Sequence, residues 1–192
     1  VNSGTTDLGD GLYDPRAVAN LIIEVIHKPI TNLTLQKLLY FVHGAHLLQK
    51  KKALVTGYFE AWTHGPVHPA IYSEFKDFGS EPITRKAFRK NIRTGELLDI
   101  NIELDSDTIS ICNSVINSLR NLSPGQLVAL SHASGSAWHK VYRRSKSEHM
   151  LGLRMSNKAI LDGYKSHWFL ADKLEVANEP TEDTPLTYYR LS

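Results

Sequence analysis

Residues 33–72 read LTLQKLLYFVHGAHLLQKKKALVTGYFEAWTHGPVHPAIY. Leu35, Leu38, Leu39, Val42, His43 and His46 recur at i, i+3, i+4, i+7, and Phe41 and Ala45 widen that stripe. The pattern predicts a helix from about Leu33 to Gln49 that is buried on more than one side. Thr31 or Asn32 is its expected N-cap, and Lys50, Lys51 and Lys52 close it favourably for the helix dipole. Gly44 in the interior costs about 1 kcal/mol relative to Ala, so close approach of another backbone is expected there. Leu54 to Trp62 is aromatic-rich and reads as a short strand or extended segment. In Thr63-His64-Gly65-Pro66-Val67-His68-Pro69, two prolines and a glycine force a defined turn.

Working outward, Asp14-Pro15 supplies a cap and a first-turn proline for a helix carrying Ala17, Val18, Leu21, Ile22, Val25 and Ile26, stopped by Lys28-Pro29. A short helix runs from Pro69 to about Phe78 and ends at Gly79. Residues 81–96 are basic and irregular, and 97–105 read as extended. Ile109, Ile111, Cys112, Val115, Ile116 and Leu119 mark another amphipathic helix, and Ser123-Pro124 starts the next. Ala137-Trp138 begins a helical turn after Ser134-Gly135-Ser136. Ser156-Asn157 caps a last helix through Ile160, Leu161, Tyr164 and Trp168. The expected fold is mainly α, a compact single-domain helical bundle with a short β-strand or hairpin element. It divides into a flexible segment over 1–12, a domain over 13–172, and an acidic tail or arm over 173–192.

Composition excludes several classes. With 192 residues and 42% hydrophobic content, the chain can build a core without metals or disulfides. A net charge of +2 argues against a dedicated nucleic-acid binder. One cysteine, Cys112, forms no internal disulfide and fits a reducing cytoplasm. No apolar run approaches the about 18 residues needed to span a bilayer, and VNSGTTDLGDG lacks the basic-then-apolar order of a secretory signal.

No catalytic residues, cofactor or metal are expected. His43 and His46 share a helix face and His64 and His68 flank the Gly-Pro turn, but no HExxH is present, so a His-based metal-dependent hydrolase is the weakest reading. Ser131-His132 lacks a nucleophile elbow, and Cys112 falls on an apolar face. Two groups stand out. Trp62, His64, Tyr72, His132 and Trp138 are large half-polar side chains near turns, and buried Trp and His need hydrogen-bond partners. They are expected to form a polar corner joining the Gly-Pro turn to the Ser131–Trp138 turn, as a structural lock or a partner surface. Arg85, Lys86, Arg89, Lys90 and Arg93 form a basic loop that could face a partner or contact phosphates. The latter would make a DNA-binding autoregulator.

Three motifs in order carry a family resemblance. Leu35-Gln36-Lys37-Leu38-Leu39-Tyr40-Phe41 with His43-Gly44 is the first. Phe59-Glu60-Ala61-Trp62 with His64-Gly65-Pro66-Val67, Pro69 and Tyr72 is the second. Leu122-Ser123, Leu127, Leu130, Ser131-His132 and Ser136-Ala137-Trp138 make the third. Together with the closing helix they resemble the Panacea (SocA-like) domain, a family linked with the phage-associated GepA proteins. His68 and Ala70 depart from the apolar and acidic residues expected in that turn. The resemblance implies an α-rich bacterial or prophage antitoxin in the cytoplasm. Its partner would be a cognate, translation-blocking toxin bound by direct protein contact, with a protease as a further partner if the protein is a proteolytic adaptor. No catalytic residues come with the family.

Overall fold

The computed structural model describes residues 8–100, 103–148 and 153–167. Its axis is α2 (Asn32–Lys50), in which every residue from Asn32 to Leu47 is buried. The Thr31 side chain accepts from the Thr34 amide, and Lys51 ends the helix in the left-handed region. The remaining elements wrap this rod: α1 (Pro15–Ile26), α3 (Pro69–Phe75), α4 (Ser106–Leu119), α5 (Pro124–Ser131), α6 (Ala137–Glu148) and α7 (Asn157–Tyr164). Of these, α1, α3, α4, α5 and α7 pack on α2 directly, while α6 lies against α7.

Helix starts follow the caps written in the chain. Asp14, Asp105, Ser123 and Ser156 each accept a first-turn amide, and Ser123 with Gln126 completes a reciprocal capping box. The fold is mainly α and single-domain, as the periodicity predicts. Gly44 has a different neighbour from the expected backbone: a Cβ there would lie 2.2 Å from the ring of Tyr164. That ring crosses α2 to let its hydroxyl donate to the Phe41 carbonyl at 2.9 Å.

Strands β1 (Phe59–Trp62) and β2 (Gly65–Val67) pair antiparallel, with Trp62 opposite Gly65. The turn is therefore Thr63-His64. Gly65-Pro66, expected within the turn, belongs to the second strand. Proline is tolerated because β2 is an edge, the sheet order being β2-β1-β5 with β5 at Arg154–Met155. The irregular basic stretch is in part a second, two-stranded sheet of β3 (Arg89–Lys90) and β4 (Leu97–Leu98).

Of the leading segment expected to be loose, residues 8–12 are tied to the body. Leu8 is buried, its carbonyl accepts from Ala53, and the Leu12 amide donates to Leu54. Residues 1–7, Trp168 and the acidic tail expected over 173–192 lie outside the described residues. Among the described residues no helix is long and apolar enough to cross a membrane.

Candidate functional site

The five aromatic and histidine residues singled out from the sequence do meet at one corner, where the β1–β2 hairpin faces the α5–α6 junction. Trp62 ends β1 and its ring meets Tyr72 edge-on at 4.7 Å, while its Nε1 donates to Glu60 Oε2 at 2.8 Å. Trp138, in the first turn of α6, donates from Nε1 to the Trp62 carbonyl at 2.7 Å. The His132 ring stacks on Trp138 at 3.4 Å with an interplanar angle of 6°, and Tyr142 continues the stack at 4.4 Å. His64 sits half-buried in the hairpin turn.

Beneath the corner lies a polar layer that sequence reading missed. Lys37 is fully buried, and its Nζ donates to the Pro66 carbonyl at 3.2 Å. Gln36 accepts the His68 amide at 2.8 Å and donates to Asn32, which in turn donates to the Tyr72 carbonyl. Helix α2 thus holds the hairpin and the start of α3 through side-chain bonds to backbone. The available signal was a Gln-Lys pair inside a helix that is otherwise apolar nearly all round, because buried polar groups demand partners. Gly65 closes the layer. Its φ is +106° and a Cβ would lie 2.5 Å from Ser131 Oγ and 3.0 Å from Lys37 Cε. Gly65→Ala is expected to destabilise the fold by about 2 kcal/mol through backbone strain and overpacking; urea denaturation measures it, and an unchanged midpoint refutes the close fit.

The histidines are committed to structure. His43 Nε2 meets Asn157 Oδ1 at 3.0 Å and its Nδ1 accepts from the Val55 amide at 3.4 Å. His46 Nδ1 donates to the Lys52 carbonyl, and His68 Nε2 to that of Thr56. Burial pushes His43 down to about 4. Burial, with Lys37 nearby, pushes His132 down to about 3. Cys112 is buried, which drives its thiol up to about 12, so it is a poor nucleophile. Among the described residues no group of three or more His, Cys, Asp or Glu side chains could hold a metal ion.

The basic loop splits into two parts. Arg85 pairs with Glu74 at 2.7 Å, donates to the Glu74 carbonyl, and lies over the rings of Phe75 and Phe78. Lys86 pairs with Glu24. Both cations therefore stitch the loop to α1 and α3. Arg89, Lys90 and Arg93 project on the β3–β4 hairpin, where all three are exposed.

Comparison with known proteins follows the same core. The family model described as "Antitoxin SocA-like, Panacea domain" matches residues 35–139, from the first turn of α2 into α6. That span contains all five corner residues and, of the layer beneath them, Gln36, Lys37, Gly65 and Ser131 but not Asn32. The chain belongs to the SocA-like Panacea family. Within that family, it is 41% identical over 155 residues to Antitoxin SocA of Caulobacter vibrioides (strain NA1000 / CB15N), covering 79% of this chain and 82% of that protein. No solved structure matches the chain. The matched span contains Gly44, Gly65 and the Ser131 that Gly65 approaches, whereas Tyr164, which packs on Gly44, lies beyond it.

Proposed function

We propose that this protein is the antitoxin of a bacterial toxin–antitoxin pair and neutralises its cognate toxin in the cytoplasm by direct protein–protein binding. The carrying observation is the 41% identity, across most of both chains, to a protein named Antitoxin SocA. The chemistry of the interior supports a binding rather than a catalytic role. His43, His46 and His68 are engaged in holding backbone or side chains in place, and Cys112 is buried among apolar side chains. The toxin this reading anticipates blocks translation.

Co-expression with the product of the adjacent gene tests the proposal. Induction of that product alone is expected to arrest growth and labelled amino-acid incorporation. Co-expression is expected to restore both, and the two proteins should co-purify. Arrest that persists despite soluble antitoxin, with no complex formed, overturns the reading.

A further inference from the structure

Five large hydrophobic side chains are exposed among the described residues: Leu12, Ile92, Leu97, Leu98 and Ile109. Three of the five fall on one ten-residue hairpin, 89–98. An isolated exposed aliphatic needs no explanation, whereas a cluster marks a contact surface. The same hairpin carries Arg89, Lys90 and Arg93 against the single carboxylate of Glu96, in a chain whose overall charge is only +2.

The geometry makes this a built element. Lys90 is opposite Leu97 and Arg89 opposite Leu98. Opposed residues share a face and successive residues alternate, so each face of the hairpin presents one cation beside one leucine. Leu97 is 63% exposed and Leu98 39%. At the tip the Asn91 side chain accepts from the amides of Arg93 and Thr94. Its backbone exchanges bonds with Glu96 and Gly95 at 2.8 Å, and Gly95 takes the positive φ of +73° that closes the turn. Ile92 is held out on that tip, fully exposed, where it adds nothing to the core. The base is fixed to α1, because Asn20 both accepts from and donates to the backbone of Ala87. A projecting element with apolar and cationic groups on both faces suits insertion into a cleft, since a flat contact would leave one face in water.

Building on the antitoxin reading, we propose that hairpin 89–98 is the finger that engages the toxin, seating Ile92 and the two leucines in a concave, apolar-floored surface walled by carboxylates. Complementary charge of this kind steers encounter and fixes register, and the preformed tip reduces the entropy lost on docking.

The experiment uses the full chain and the product of the adjacent gene, with binding followed by calorimetry and rescue by growth. Ile92→Asp and the double change Lys90→Glu/Arg93→Glu are expected to weaken binding at least tenfold and abolish rescue, with the melting temperature of the wild type. Ile92→Ser gives a milder apolar deletion should either variant fold poorly. The double change Lys140→Glu/Lys165→Glu, an equal reversal of charge at exposed sites on α6 and at the end of α7, controls for net charge and is expected to bind as wild type. Wild-type binding should also weaken with added salt, and that slope should flatten in the double variant. Wild-type rescue together with unchanged binding by the finger variants overturns the finger and leaves the antitoxin reading standing. So does a shift in the protein's own oligomeric state with toxin binding intact. Failure of the wild-type protein to bind or rescue removes both.

Discussion

Acidification from pH 7 to pH 4.5 is expected to unfold the protein, with a transition that begins near pH 6.5 and has its midpoint near pH 5. The cause is a set of histidines that fold as neutral rings. Burial lowers His43 and His167 to about 4 and, with Lys37 nearby, His132 to about 3, from an ordinary 6.5. His46 and His68 are displaced in the same direction, again by burial. Hydrogen bonding reinforces the effect at His43. The Val55 amide donates to its Nδ1 at 3.4 Å, so a proton arriving there would face another N–H. Among the described residues, His68 Nδ1 and His132 Nε2 are buried with no hydrogen-bond partner, so nothing there solvates an added proton.

The sign follows from linkage. Below pH 6.5 the unfolded chain binds protons that the folded chain refuses, so stability falls as pH falls, down to the folded values near 3–4. Two pH units correspond to about 2–3 kcal/mol for each strongly shifted ring. Three such rings together rival the about 5–15 kcal/mol that holds a domain together. Carboxylates act in a separate window. Hydrogen bonds from Thr108 and then Tyr13 hold Asp105 well below its ordinary 3.8, so its contribution is lost only below that pH. Denaturant titrations at fixed pH, followed by circular dichroism, should give a folding constant that changes about three decades per pH unit between 6 and 5. Native ellipticity and an unshifted melting temperature at pH 4.5 would show that these rings are solvated or paired.

How far the sequence carried the reading depends on the range of the interactions. Helix α2 was visible because its stripe is periodic and its cap adjacent, and both signals are local. The corner was visible as a set of residue types that need partners near turns. Its connections were not, since Trp138 bonds to a carbonyl 76 residues away and Lys37 to one 29 residues away. The Gly-Pro pair suggested a turn, but Thr63-His64 makes the turn and Gly65 uses its positive φ inside the edge strand. Strand β5 is two residues long and has no alternation to detect; the register with Phe59 and Glu60 alone defines it. Helix α6 was foreseen only as a turn, because its second half, from Arg143 to Glu148, carries no apolar side chain to continue the stripe begun by Ala137, Trp138, Val141 and Tyr142. The division of the basic loop was hidden for the same reason. Nothing near Arg85 or Lys86 in the chain announces Glu74 or Glu24 as their partners.

Trp138→Ala is expected to cost about 3–5 kcal/mol, the range for removing a buried large aromatic. Trp138 is 6% exposed, stacks between His132 and Tyr142, and supplies the 2.7 Å donor to the Trp62 carbonyl. Its loss opens a void between β1 and α6 and strands an acceptor at the strand end. Trp138→Phe separates the two effects: it keeps an aromatic ring in the stack and deletes the donor, for an expected loss of about 1–3 kcal/mol. Guanidinium denaturation followed by circular dichroism measures both. Hydrogen exchange should show α6 amides losing protection before those of α2, since α6 touches α7 and the small sheet while α2 is enclosed on all sides. An alanine variant within 1 kcal/mol of wild type would mean that the corner is already loose. The pair of variants also bears on what the corner is for. If it is the frame that sets the hairpin on α2, Trp138→Phe lowers stability while toxin affinity per folded molecule stays unchanged. If the half-exposed Trp62, His64 and Tyr72 face the toxin, affinity falls out of proportion to stability, and the contact surface extends beyond the finger to this corner.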